Sequence, residues 1–318
     1  MLQPIHRGIR NLRTGSAVPG LSMRWVVGID NGMPRSYRMK FAAVATVVLF
    51  ALGGNAVAGK SELAEVRARS EMSMVVTGKV RVEADGAVAG LDLDKPGELP
   101  KGVVELVQHT VPDWKFEPAA AGDKSAETLN MSVRVVGRKL ADGNYALTMR
   151  SANFADSAPG AALKRGSAHS IVYPSALAGT NASGTVYLLV RIGKAGEAQE
   201  VFAEQVNLSV VADQKKMDKL RDEFARSAVR GAKRWKFVVA KQDGEAGSWT
   251  ARVPVKYQVS GQTLPKYGQW EVYVPGPHQQ APWRENDDTA GLGVDAFADD
   301  EPQLLGQGRR LLTKLAQD

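Results

Sequence analysis

A tripeptide, Trp114-Lys115-Phe116, recurs as Trp235-Lys236-Phe237, and the residues around it recur in the same order. Ahead of the first copy stands Gly78-Lys79-Val80-Arg81-Val82; ahead of the second stands Gly184-Thr185-Val186-Tyr187-Leu188-Leu189-Val190. Each run is followed by a turn signal, Asp85-Gly86 in one and Lys194-Ala195-Gly196 in the other. Internal similarity on this scale means one supersecondary unit used twice. The pattern predicts an α+β chain of two small modules. Each is an antiparallel sheet with one helix across it, in the order strand, strand, helix, strand, and a loop-rich C-terminal tail follows.

The second copy carries the clearer periodicities. Val186, Leu188, Val190 and Ile192 alternate with Thr185, Tyr187, Leu189 and Arg191, a strand with one imperfect face. Met217, Leu220, Phe224, Ala228, Ala232 and Trp235 fall at helical spacing, with Lys219, Arg221, Asp222, Arg226 and Arg230 between them. That is an amphipathic helix with one side to bury. Trp249, Ala251, Val253, Val255, Tyr257 and Val259 then take every second place. Pro254 interrupts that strand and cannot donate a ladder bond, which marks an edge strand or its ligand-facing side. In the first copy Val103, Val107, Val111 and Trp114 predict a shorter helix from Pro100, distorted near Pro112. Leu129, Met131, Val133 and Val135 predict the closing strand. Tyr145, Leu147 and Met149 predict another, after the turn Asp142-Gly143-Asn144.

These patterns divide the chain into a leader (1–58), a first module (59–154), a linker (155–168), a second module (169–260) and a tail (261–318). The tail holds one strand candidate, Trp270–Val274, then Pro275, Pro277 and Pro282. Acids follow at Glu285, Asp287, Asp288, Asp295, Asp299, Asp300 and Glu301, before Arg309, Arg310 and Lys314. Such a composition is expected to drape over a module or stay mobile, with little structure of its own.

The net charge of +7 suggests nucleic acid until the charge is located. Arg7, Arg10, Arg13, Arg24, Arg35, Arg38 and Lys40 stand in the leader against one acid, Asp30, so the rest of the chain is close to neutral. Phosphate recognition needs cations clustered on the folded part, and nucleic acid is not an expected partner. Within the leader, Met39-Lys40 precedes the apolar run Phe41–Leu52, and Ala56-Val57-Ala58 ends it. This is the layout of a secretory signal peptide cut after Ala58. Met33 and Met39 offer later starts than Met1. The run is short for a membrane span, so a membrane enters only if the leader is uncleaved.

Gly54-Asn55-Ala56-Val57-Ala58-Gly59-Lys60-Ser61 matches the phosphate-cradling P-loop. The motif needs a βα unit around it, which the rest of the pattern does not supply, and signal cleavage would cut it in two. It is read as a decoy. There is no cysteine, hence no disulfide, thiolate metal site or cysteine nucleophile. His109, His169 and His278 are not spaced as ligands of one metal, and Ser167-Ala168-His169-Ser170 is a neighbourhood in a linker rather than a triad. No H-E-x-x-H or G-x-S-x-G occurs. Trp114 and Trp235 are read as core anchors on their helices' apolar sides, with Phe116 and Phe237 closing the same cores. No enzyme activity, metal or cofactor is expected.

The second copy resembles the C-terminal domain of the TonB family, with the TolA domain as a more distant relative. The residues that carry the likeness are Tyr173-Pro174 with Ala176, Gly184-x-Val186, the turn at Gly196, and a helix with Ala228 and Ala232. Arg234-Trp235-Lys236-Phe237 and Val253-Pro254-Val255 complete it. The first copy shares Trp114-Lys115-Phe116-Glu117-Pro118. The resemblance implies a periplasmic module of a Gram-negative cell that pairs an extended segment of an outer-membrane or periplasmic protein with a sheet edge. Trp249, Ala251, Val253, Val255, Tyr257 and Val259 form the candidate edge, unless Trp270–Val274 covers it. The family's energy transducers keep a membrane helix, often with a histidine, and a long Pro-rich rod. Here the apolar run has no histidine and Ser61 leads almost directly into the first module. A secreted relative is therefore expected, with an inner-membrane-anchored transducer for outer-membrane transport as the alternative and a P-loop nucleotide binder as a minor one.

Overall fold

The computed structural model describes residues 37–39, 60–120, 122, 125–140, 142, 144–156, 163–165, 171–238, 248–259, 261–263, 265–283, 294, 302–305 and 309–315. The apolar run 41–52, the cleavage site at Ala58, the P-loop residues before Lys60, Gly143, residues 166–170 and the seven tail acids lie outside them. The elements in chain order are β1 (Tyr37–Met39), α1 (Lys60–Ala68), β2 (Glu71–Val82), β3 (Val88–Leu93), α2 (Lys101–Thr110), β4 (Glu127–Lys139), β5 (Tyr145–Asp156) and β6 (Lys164–Arg165). They continue with β7 (Gly184–Gly193), β8 (Ala198–Leu208), α3 (Gln214–Ala232), β9 (Phe237–Val238), β10 (Ser248–Tyr257), β11 (Glu271–Tyr273) and β12 (Gln303–Leu304). The fold is mixed α+β, antiparallel sheets with few helices. No described helix is long and apolar enough to cross a membrane.

One sheet runs β1-β5-β4-β2-β11, with β3 also on β2; a second runs β12-β10-β7-β8; and β6 and β9 form a third, of two strands. The larger two form because apolar residues at every second position give a strand one face to bury. Val76, Val80, Leu129, Met131 and Val133 bury theirs under α2 with Leu106 and Val107. Val186, Leu188, Val190, Ala251 and Val253 bury theirs under α3. The side chain of Asp213 accepts from the Lys216 N–H (2.8 Å) and starts α3. From there Met217, Leu220, Phe224, Ala228 and Ala232 fall on one buried stripe, as their spacing predicts.

The two tryptophans are core residues, but not helical ones. α2 stops at Thr110, and Val111-Pro112-Asp113 tightens into a 3-10 turn that leaves Trp114 extended (φ −70°, ψ 147°). Trp235 lies beyond the end of α3, its N–H on the Ala232 carbonyl (3.0 Å). They are 1% and 2% exposed. Each chain exit turns the indole back under the sheet, edge-on to Phe154 (5.8 Å) and Phe237 (6.1 Å) respectively.

The faces turned away from the helices are also buried. Ser73, Ser132, Arg134, Ser151 and Asn153 line one; Tyr187, Leu189, Glu204 and Arg252 line the other. They meet where Arg134 Nη2 reaches the Tyr187 hydroxyl (3.5 Å), while Nη1 donates to Ser73 Oγ (2.7 Å). Arg252 donates to both oxygens of Glu204 (2.6 and 2.8 Å), an ion pair at 2% and 6% exposure. Buried charges persist in this way only when each is matched.

The described tail drapes over the two larger sheets, one of the two outcomes expected of it, and its strand candidate Trp270–Val274 supplies β11. Val272 of β11 pairs Met72 of β2, and Val274 then exchanges both backbone bonds with Leu208 (2.8 and 3.1 Å), so one short run ties the two sheets together. Leu311 enters the first core and Leu312 N–H donates to Lys115 (2.7 Å). Sheet edges present backbone donors and acceptors that need partners, and this is what holds the described tail against the sheets. Residues 60–68, assigned above to the first module, pack instead against α3 and the sheet beneath it. Val66 lies in its core, and Glu62 accepts from the Gln214 N–H (3.0 Å). Within the expected linker, Leu163 is in the second core and β6 pairs β9.

Candidate functional site

The candidate edge is β10. Its inner side pairs β7 along its whole length, from Ser248↔Gly193 to Tyr257↔Gly184; Val259 lies past the strand end. The side chains of Ala251, Val253, Val255 and Tyr257 point into the second core. Trp249 packs at its margin. These residues hold the strand in place, and a partner would meet its main chain and the opposite side chains instead.

Which peptide groups point outward follows from one bond. Leu305 N–H donates to the Thr250 carbonyl (2.8 Å), so Thr250 faces away from β7. Strand alternation then turns the peptide groups of Arg252, Pro254 and Lys256 the same way. Pro254 sits where its missing N–H costs β10 no bond to β7, as a proline in an edge strand requires. Trp270–Val274 was the expected cover for this edge, but it pairs β2 instead. β12 covers it, through Ala251↔Leu304 and Arg252↔Gln303. Among the described residues no strand pairs the outer side of β10 beyond that short window.

The other residues that carry the resemblance build the frame of this edge. Tyr173 donates its hydroxyl to the Ala182 carbonyl (2.8 Å) and stands edge-on to Phe224 (5.7 Å) and Tyr257 (6.2 Å). Phe224 and Tyr257 stack at 4.5 Å. Burial pushes the Tyr257 phenol up to about 12. Pro174 opens the short turn Ser175–Leu177. At Gly184 a Cβ would fall on the Asn207 carbonyl oxygen. Glycine there lets β8 approach, as it does for β3 at Gly78, where the obstacle is the Asp92 carbonyl.

The two hairpin turns dock onto the two repeated tripeptides in the same manner. Phe116 N–H donates to the Gly86 carbonyl (2.8 Å), and Phe237 N–H donates to the Gly196 carbonyl (2.7 Å). Both glycines have positive φ, +84° and +79°. Isolated bridges flank them, Ala87↔Lys115 in one case and Glu197↔Lys236 in the other.

The Glu204–Arg252 pair is the group that sequence reasoning missed. His278 adds to it, Nε2 lying 3.1 Å from Glu204 Oε1 and so pinning the tail to β8. Arg221 of α3 assists by donating to the Val206 (3.3 Å) and Pro275 (3.2 Å) carbonyls; its burial lowers its pKa from the ordinary arginine value. The one sequence signal for this layer was the imperfect alternation of β7, whose Tyr187 and Leu189 gave the second face apolar residues as well. A cleft at the foot of β10, lined by Lys256, Gln258, Gln262, Trp270 and Val272, continues the edge. Among the described residues, no three His, Asp or Glu side chains stand together as metal ligands. No family model, curated protein or solved structure matches the chain.

Proposed function

We propose that this chain is a non-catalytic, periplasmic protein-binding molecule built from two copies of a TonB-type C-terminal unit. A partner docks by pairing an extended segment with the outer edge of β10. The observation that carries the docking is that this edge already takes an extended segment, Gln303–Leu305, in antiparallel register. It therefore offers main-chain groups at strand spacing, the requirement for recognition by strand addition.

The two-copy reading is supported by matched contacts. Gly78 and Gly184 admit a neighbouring strand, Gly86 and Gly196 receive the phenylalanine N–H, and Trp114 and Trp235 fill the cores behind them. In each copy two hairpin strands are followed by a helix and then by a strand that pairs the first of them. Placement in the periplasm rests on the signal-peptide layout of residues 39–58. The same apolar run, left uncut, favours the anchored transducer as the second reading. Lys60 and Ser61 open α1 in a fold of antiparallel sheets, which gives the P-loop match no parallel βα unit among the described residues.

The test is the intact mass and N-terminal residue of the natively expressed protein in periplasmic, membrane and cytosolic fractions. A start at Gly59 in the soluble periplasm is expected. Retention of residues 41–52 in the membrane fraction would promote the transducer, and an uncut cytosolic chain would overturn the periplasmic placement.

A further inference from the structure

We propose that the β10 edge selects an extended peptide with a hydrogen-bonding side chain followed by an aliphatic one. The chain's own Gln303–Leu305 is then a displaceable stand-in for that peptide. The proposal rests on the docking reading above and names the partner's chemistry. Register places Gln303 opposite Arg252 and Leu304 opposite Ala251, and the pleat sends those two side chains to opposite faces. Leu304 packs on the second core. Gln303 turns to the other face, where its Oε1 accepts from the Nδ2 of Asn153, a buried residue of β5. Leu305 supplies the main-chain donor to Thr250. A partner taking this place has to bring the same three features.

Two observations make the segment exchangeable. The matching strand of the first sheet, β4, has its outer side closed by β5 in register from Leu129↔Asp156 to Lys139↔Tyr145, a long ladder. β12 has only the two register pairs and the Leu305 bond. Each ladder bond contributes about 1 kcal/mol net, so the second edge opens far more readily than the first. Beyond the window, Pro254 withholds the next outward N–H, so an incoming strand competes with the tail for the same window instead of binding beside it. The tail itself stays tethered, with Leu311 in the first core and Thr313 Oγ1 accepting from Lys115 N–H (2.8 Å). Tethering lets it close again once the partner leaves.

The test is fluorescence anisotropy of a labelled peptide with the sequence of residues 300–307, titrated with the full chain and with the Leu304→Asp and Leu305→Pro chains. The first substitution removes the aliphatic anchor, the second the donor to Thr250. With the edge self-occupied nine-tenths of the time or more, both variants are expected to bind at least about tenfold tighter than the natural chain. A peptide carrying Leu304→Asp should bind none of them. Equal affinity for all three chains would overturn the stand-in while leaving the edge as a docking site. No binding to either variant up to about 1 mM peptide, with far-UV circular dichroism and melting cooperativity intact, would overturn the edge itself.

Discussion

Gly196→Ala is expected to destabilise the chain by about 2–4 kcal/mol, and Gly86→Ala by the same amount. Both turns hold glycine at positive φ (+79° and +84°), where an L residue costs about 1–2 kcal/mol. A Cβ built at Gly196 falls on the Phe237 carbonyl oxygen, and one built at Gly86 falls on that of Phe116. The obstacle is backbone, so it cannot swing aside as a side chain would. The turn has to lift, which breaks the phenylalanine N–H bond to the glycine carbonyl (2.7 and 2.8 Å) at a further cost of about 1–2 kcal/mol. In a chain of this size a loss near 3 kcal/mol lowers Tm by roughly 6–12 °C. Thermal melts by far-UV circular dichroism, with urea titrations alongside, measure it. Gly97→Ala is the control, since a Cβ there meets nothing within 4 Å. If Gly86→Ala and Gly196→Ala melt with the control, the docking of turns onto the repeated tripeptides is not what holds these hairpins. If one is costly and the other silent, the two turns are not equivalent.

Trp235→Ala and Trp114→Ala should each cost about 3–5 kcal/mol in urea unfolding, the range for emptying a buried aromatic site; a loss below about 1 kcal/mol would place the ring at the surface. Glu204→Gln should cost about 3–5 kcal/mol, because it leaves the Arg252 guanidinium buried without its carboxylate, and a silent substitution would show that water reaches the pair. Stability should fall as pH rises from 10 towards 12. Tyr257 ionises near 10 in the unfolded chain but near 12 in the fold, so its contribution is complete below pH 10 and lost through that window. Tyr257→Phe should flatten the fall between pH 10 and 12, and equal slopes for both chains would refute the assignment.

Much of the framework was legible because it rests on local periodicity. The spacing of Met217 through Ala232 located α3, and the alternation from Trp249 to Tyr257 located β10. The glycines before and within each hairpin marked where strands approach and turn. What stayed hidden depends on pairings remote in sequence. Nothing in Gln303-Leu304-Leu305 marks it as a strand until Thr250 and Ala251 stand beside it. Helix α1 looked like the start of the first module because it adjoins β2 in the chain, yet Val66 finds its apolar neighbours on α3. The tryptophans kept helical spacing, but Pro112 and the end of α3 at Ala232 turned both into exits from a helix. The direction of β10's outward peptide groups was, by contrast, readable from Pro254, whose missing N–H has to face away from β7, and the Leu305 bond to Thr250 agrees with it.

The most direct measurement of partner docking at the β10 edge is photocrosslinking in intact cells, with a photoreactive residue placed at Lys256 on the outward side of that strand. Lys219, on the exposed side of α3, serves as the control position. The expected result is a discrete protein adduct from position 256, absent from position 219, whose yield rises when Leu304→Asp frees the edge. Adducts of equal yield from both positions, or an adduct from 256 that is indifferent to Leu304→Asp, would contradict docking at this edge.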